Sequence, residues 1–324
     1  MIVWLASYPR SGNTLLRTLL KQTMGLSSKS DSMDENQHAK EDGSWSRIVG
    51  VDGFASDWIT FYRQACDTDE VHLVKTHNPP IDDQPAIYVV RDGRKACLSY
   101  HHFDREFRGG GSSLVEIVAG IDRYGDWSAH YRAWNGRKNT LTVRYEELIT
   151  PSLGTLSSLA NVVAHRGPIA SWQNPFDRLH AEDQAFFREG KTDWEGAPEW
   201  TPLIDALFFH LHRTLMVELD YVGDTEAPQC PDEMKTLVSA TRRLATENKL
   251  LETACSERLN LVRRLDGENK LLEAACSERL DLIKRLENEN KFLETACSER
   301  LSLINRLASE CEQMRQRSVG QSGG

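Results

Sequence analysis

Ile2-Val3-Trp4-Leu5-Ala6-Ser7-Tyr8-Pro9-Arg10-Ser11-Gly12-Asn13-Thr14-Leu15-Leu16 decides the reading of this chain, because its character changes twice. Ile2 to Leu5 is a short apolar run with β-branched and aromatic members, the composition of a buried strand. Tyr8 to Thr14 breaks the run with turn residues, and Leu15, Leu16, Leu19 and Leu20 then recur at helical spacing. A strand, a polar glycine-containing loop and a helix make the layout of a phosphate cradle. Backbone N–H groups of the loop and the helix N-terminus converge on an anion. Arg10 adds a full positive charge. The Walker A pattern Gly-x-x-x-x-Gly-Lys-Ser/Thr is absent. Taken alone, the stretch also fits an ordinary strand-to-helix turn.

The chain around it has 324 residues and a formal charge of −9. That length suits one large domain with an appendage, or two modest domains. The acidic balance argues against broad nucleic-acid binding, which needs a basic face, yet a few local cations still suffice for an anionic ligand. No segment has the length and apolarity of a membrane span, and the chain enters its first strand too soon to leave room for a signal peptide. Cys66, Cys97, Cys230, Cys255, Cys276, Cys297 and Cys311 are odd in number and lack CxxC spacing, so neither a zinc site nor a disulfide framework is expected. The expected setting is the reducing cytoplasm, without a metal.

Further along, a helix from Leu15 stops near Gly25, and residues 27–46 form a long loop rich in Ser, Asp and Asn. Residues 58–66 read as a helix. Val71 to His77 is a second strand, stopped by Asn78-Pro79-Pro80. Ala86 to Val90 is a third, apolar throughout and so buried on both faces. It runs into Arg91-Asp92-Gly93-Arg94 and a helix through Tyr100. Thr140 to Tyr145 is a fourth strand, followed by Glu146-Glu147 and a helix over residues 151–164. Short apolar strands alternating with helices predict an α/β fold with a P-loop-like parallel sheet flanked by helices. Ligands of such sheets bind at the carboxyl ends of the strands. Arg10, Lys75, His77, Arg91 and Tyr145 all stand at or just after such ends.

The globular part is expected over residues 1–222, with a linker at 223–235 whose core is Gly223 to Asp232. Residues 236–317 then read as one long coiled-coil helix, and residues 318–324 as a flexible tail. Glu247-Asn-Lys-Leu-Leu-Glu-Thr-Ala-Cys-Ser-Glu-Arg-Leu259 recurs from Glu268 and again from Glu289, a period of three heptads. Asn248, Cys255, Val262, Asn269, Cys276, Ile283, Asn290, Cys297 and Ile304 fall at heptad position a. Leu251, Leu265, Leu272, Leu286, Leu293 and Leu307 fall at d, as do Arg258, Arg279 and Arg300, with Leu259, Leu280 and Leu301 beside them at e. Such a helix extends roughly 120 Å at about 1.5 Å per residue. Recurring asparagine at a favours a parallel homodimer in defined register. The cysteines at a are expected to pack as small apolar side chains.

Three segments, in order, resemble the sulfotransferases that use 3′-phosphoadenosine 5′-phosphosulfate (PAPS). Ser7 to Thr14 resembles their 5′-phosphosulfate loop. Ile87 to Phe103, with Arg91 and a serine eight residues on at Ser99, resembles their 3′-phosphate motif. Val74-Lys-Thr-His77 resembles the strand end bearing their catalytic histidine. Tyr145-Glu-Glu-Leu148 and Phe187-Arg-Glu-Gly-Lys-Thr-Asp-Trp194 are weaker matches. The resemblance covers about residues 1–220 and leaves the coil outside.

It implies transfer of a sulfuryl group from PAPS to a hydroxyl or amine of a small-molecule or glycan acceptor. His77 would be the general base, because an imidazole is neutral near its working pH. Lys75 would meet the transferring group. Arg10 stands where many relatives carry lysine, and a guanidinium is a poor proton donor, so its expected role is to stabilise charge on the phosphosulfate. Ser11, Gly12, Asn13 and Thr14 would line the loop, and Arg91 and Ser99 would hold the 3′-phosphate. Arg188 and Gly190 would assist, although Glu189 replaces the family's usual lysine. Tyr145 and Trp172 would face the adenine. Two other readings stand beside this one: a nucleotide kinase on a related phosphate loop, and an inactive nucleotide-binding scaffold that works through its coil.

Overall fold

The computed structural model describes residues 1–32, 44–53, 57–107, 109, 111–182, 196–223 and 227–321. By internal contacts the chain divides into two units, Met1–Thr246 and Glu247–Gly324. In the first, β1 (Ile2–Ser7) runs down the centre of a sheet whose other strands are β2 (Lys29–Ser30), β3 (His72–Thr76), β4 (Ala86–Val90) and β5 (Thr140–Arg144). The order is β2-β3-β1-β4-β5 and every pairing is parallel. Every residue of β1 and β4 is buried, as a strand covered by helices on both faces requires.

The strand faces separate two apolar clusters. One gathers Ile2, Trp4, Tyr88 and Val90 with Trp127, Trp134 and Phe208. The other gathers Val3, Leu5, Ile87 and Val89 with Leu16, Leu19 and Leu20. Alternate residues of β1 and β4 therefore point to opposite layers. Among the described residues the helices of this unit are α1 (Asn13–Met24), α2 (Ser44–Val49), α3 (Trp58–Cys66), α4 (Gly93–Phe107), α5 (Leu114–Ala119), α6 (Trp127–Asn135), α7 (Tyr145–Ile149), α8 (Leu153–Val162), α9 (Phe176–Glu182) and α10 (Pro202–Glu218), together with the start of α11 (Asp232–Gln321).

Most boundaries follow local chemistry. α1 ends at Gly25, whose φ of 72° suits the left-handed position after a helix. Asp57, Ser113, Asp126, Ser152 and Thr201 each accept from a backbone N–H at the start of their helices. Tyr145 opens α7 and does not close the fourth strand, because Arg144 already has N-cap geometry. The helix expected over 151–164 is narrower, with Ser152 as its cap. Cys230 and Val238 are buried in the first cluster and Arg242 pairs with Asp126, so the beginning of α11 belongs to the first unit. The second unit is helical through Gln321, and its leucines, valine and isoleucines at a and d are all exposed. No helix among the described residues is long and apolar enough to cross a membrane.

Candidate nucleotide and transfer site

The ends of β1, β3, β4 and β5 meet on one edge of the sheet, and four expected elements of the site meet there with them. After Ser7 the chain turns at once: the Ser11 N–H donates to the Tyr8 carbonyl at 3.2 Å. Arg10 has a positive φ of 61°, uncommon outside glycine, and Gly12 has φ 110°. Gly12 also has no room for a side chain, since a Cβ there would lie 2.5 Å from Cδ2 of Tyr145. The aromatic ring of α7 is thus packed directly on the loop.

Arg10, Arg91 and Ser99 come together although they are distant in sequence. Arg10 Nε donates to Ser99 Oγ at 3.3 Å, and its guanidinium lies 5.0 Å from the centre of the Phe103 ring. Arg91 Nη1 donates to the Arg10 carbonyl at 3.1 Å, and its guanidinium stacks 4.4 Å from the centre of the Tyr145 ring. The Ser11 hydroxyl and Arg91 Nε are buried donors without a hydrogen-bond partner. Buried donors are ordinarily satisfied, and two orphaned ones at a cationic loop fit an anion. The Asn13 side chain ties α1 to β1, its Nδ2 donating to the Leu5 carbonyl at 2.7 Å. Thr14 lies half-buried in the first turn of α1.

His77 lies just past β3. Its Nδ1 is 2.8 Å from the Ser7 carbonyl oxygen, an atom that can only accept. Nδ1 therefore carries the proton, and in the neutral ring Nε2 is the basic nitrogen. Lys75 is buried two residues earlier on β3. Asp31 brackets the strand end, accepting from Thr76 Oγ1 at 2.5 Å and from Asn78 Nδ2 at 2.8 Å.

The sequence did not point to two further residues. Tyr124 packs edge-on against His77, with ring centres 6.0 Å apart. His130 on α6 is buried; its Nε2 donates to the His77 carbonyl at 3.0 Å and its Nδ1 accepts from Tyr88 at 3.0 Å. One weak signal was present, the cluster Tyr124-Gly-Asp-Trp127 with His130 one turn later, but nothing in its spacing names a partner. Trp172 donates to the Ile149 carbonyl at 3.0 Å and helps line a groove with Pro151, Leu156 and Ile169. Arg188 and Gly190 lie outside the described residues. No group of His, Cys, Asp or Glu among the described residues has the arrangement of a metal site.

Burial sets the titration of this half of the molecule. It pushes the His130 and His212 imidazoles down to about 4. It pushes the Asp122 carboxyl up to about 6. The unfolded chain binds protons at those histidines below about 6.5 while the folded chain resists until about 4, so their contribution is complete above pH 6.5 and lost as pH falls. Asp122 acts oppositely, contributing stability below about pH 4 that disappears as pH rises through 6. Each shift corresponds to about 3 kcal/mol at most, and two histidines outweigh one carboxyl. Thermal midpoints at pH 7 and 4.5 should show a fall on acidification that His212→Gln reduces. An unchanged slope in that variant would refute the assignment.

A parallel sheet with a glycine-containing loop after its central strand and basic groups at the neighbouring strand ends places the chain in the α/β class, with an arrangement suited to a phosphate-like anion. Comparison with known proteins narrows the class. The sulfotransferase-domain family matches residues 2–164, half of the chain, and the chain belongs to the sulfotransferase family. Sulfotransferase 1B1 of Mus musculus is 26% identical over 167 residues, which cover 44% of this chain and 52% of the mouse protein. The chain thus spans about half the length of that curated relative. Among solved structures, mouse sulfotransferase SULT7A1 complexed with PAP aligns with a TM-score of 0.46 at 17% identity, covering 68% of this chain and 88% of the other. Retinol dehydratase in complex with androsterone and inactive cofactor PAP aligns with a TM-score of 0.40 at 19% identity, covering 70% and 82%.

Proposed function

We propose that the protein transfers the sulfuryl group of PAPS to a hydroxyl or amine of a small-molecule or glycan acceptor in the cytoplasm, with His77 as the general base. The observation that carries this reading is the 2.8 Å contact between His77 Nδ1 and the Ser7 carbonyl oxygen. Ser7, the last residue of β1, holds Nδ1–H, and Ser7 also begins the anion loop. One short segment therefore sets both the base and the anion cradle. That juxtaposition is what an in-line transfer needs, since its rate depends on positioning and on stabilising charge.

In this reading the acceptor's proton passes to His77 Nε2 as its oxygen or nitrogen bonds to sulfur. Charge then develops on the bridging oxygen of the nucleotide. Arg10 and Lys75 stabilise that charge, and neither needs to give up a proton. Ser11, Gly12, Asn13 and Thr14 bind the 5′ end through the loop, with Gly12 allowing close approach. Arg91 and Ser99 take the 3′-phosphate, and the orphaned Nε of Arg91 supports this role. Tyr145, stacked on Arg91, flanks the nucleotide. Arg188 and Gly190 remain part of the proposed nucleotide site. The C-terminal helix is proposed to pair with a second copy as a coiled coil.

Calorimetric titration with 3′-phosphoadenosine 5′-phosphate (PAP) and with ATP, followed by an assay with labelled PAPS and cell extract, tests the reading. Preference for PAP with label transferred to an acceptor is expected. Preference for ATP would point to a kinase, and PAP binding without transfer to an inactive scaffold.

A further inference from the structure

The a and d residues of the second unit form a seam of exposed side chains along a helix with three near-identical 21-residue repeats. The seam is not uniformly apolar. Each repeat places one asparagine at a and one arginine at d, with leucine, cysteine and valine or isoleucine between them. In a coiled coil every layer must suit the layer it faces, so these two polar positions test each possible pairing.

A parallel pair in register sets Asn248, Asn269 and Asn290 against their own counterparts, which is acceptable. It also sets Arg258, Arg279 and Arg300 against their own counterparts, two like charges in each of three desolvated layers. Sliding a parallel pair by one heptad sets arginine against leucine and asparagine against cysteine, leaving both polar groups unmatched. Antiparallel helices face a with d, and one phasing resolves every layer. Asn248 then faces Arg300 of the second copy, Asn269 faces Arg279, and Asn290 faces Arg258. In the same phasing Cys255 faces Leu293, Cys276 faces Leu272, Cys297 faces Leu251, Val262 faces Leu286 and Ile283 faces Leu265. The amide oxygen of asparagine accepts from a guanidinium, so each polar layer is satisfied and each remaining layer is apolar.

The flanking charges agree in part. In the parallel register Glu247, Glu268 and Glu289 at g meet Glu252, Glu273 and Glu294 at e of the other chain. In the antiparallel phasing the same three g residues meet Leu303, Leu282 and Leu261. Glu252 against Glu294, and Glu273 against its own counterpart, remain as like-charge contacts at the rim, where solvent screens them.

We infer that the C-terminal helix pairs with a second copy of this chain in the antiparallel direction, with its three asparagines each facing an arginine of the other copy. This rests on the self-association proposed above and reverses the parallel direction that the asparagines alone favour. Interaxial distances of about 8–10 Å and a Cα radius of about 2.3 Å bring facing backbones within disulfide reach.

The test uses the full chain with Leu293→Cys added and Cys276, Cys297 and Cys311 changed to alanine, leaving Cys255 as the native coil thiol. Oxidised glutathione supplies the oxidant: two thiols give up two protons and two electrons, one interchain disulfide forms, and two molecules of reduced glutathione leave. Positions 255 and 293 lie about 57 Å apart on one helix at about 1.5 Å per residue, so a bridge between them joins two chains. Peptide mapping by mass spectrometry should find the 255–293 link as the dominant product. Dominant 255–255 and 293–293 links would overturn the direction while keeping the pairing. Glutathione-capped monomers alone would overturn the pairing itself. A second measurement uses Asn269→Asp in the otherwise unchanged chain. It should raise the thermal midpoint of the helix, because aspartate then faces Arg279 of the second copy; a lowered midpoint, from aspartate facing aspartate, would overturn the antiparallel direction.

Discussion

Replacing His77 with alanine should lower turnover by roughly 10²–10⁴-fold, the range for a positioned general base, while leaving PAP affinity unchanged. The two effects separate because of where His77 hangs. Its contacts include the Ser7 carbonyl, the Tyr124 ring and, through its own carbonyl, His130, and the hydrogen bonds joining Arg10, Arg91 and Ser99 are made among those residues themselves. A single-turnover assay with saturating PAPS reads the chemistry, and calorimetry with PAP reads binding. Normal turnover in the variant would remove His77 from the reaction; equal loss of both would mean that the histidine only supports the loop.

Arg91→Gln should weaken PAP by roughly 10–100-fold, the cost of a lost hydrogen bond to a charged group. Binding of adenosine 5′-phosphosulfate, which lacks the 3′-phosphate, should change little. The contrast between the two ligands is the informative part, because Arg91 also supports the loop through the Arg10 carbonyl and stacks on Tyr145. An equal drop for both nucleotides would assign Arg91 a structural role only. Arg91→Lys should recover part of the PAP affinity through its charge but not the forked geometry.

The sheet was legible because its strands announce themselves. Ile2 to Leu5 and Ala86 to Val90 are continuous apolar runs; the second ends with its strand at Val90, and the first strand continues to Ser7, where the turn residues take over. The two-residue strand β2 was not legible, since Lys29-Ser30 carries no pattern and exists only because it pairs with Val74 and Lys75. Tyr145 was read as the end of a strand for a similar reason: an aromatic residue after Val143 and Arg144 looks extended, and the helix that it begins is only five residues long. In the candidate site, the charged residues at strand ends were readable from their positions. The residues brought to it by packing were not. Tyr124 and His130 approach His77 across more than forty positions of sequence, and no local spacing reports a contact made by the fold. The heptad period of the C-terminal helix was plain, whereas the direction of its proposed pairing depends on what faces each layer.

His130 is buried, links the end of β3 to Tyr88 on β4, and packs its ring edge-on with Tyr8 immediately after β1. The backbone of His77 is thereby anchored to the interior of the domain. In the proposed reaction, the positioning of the base is then a property of the core and not of the surface loops.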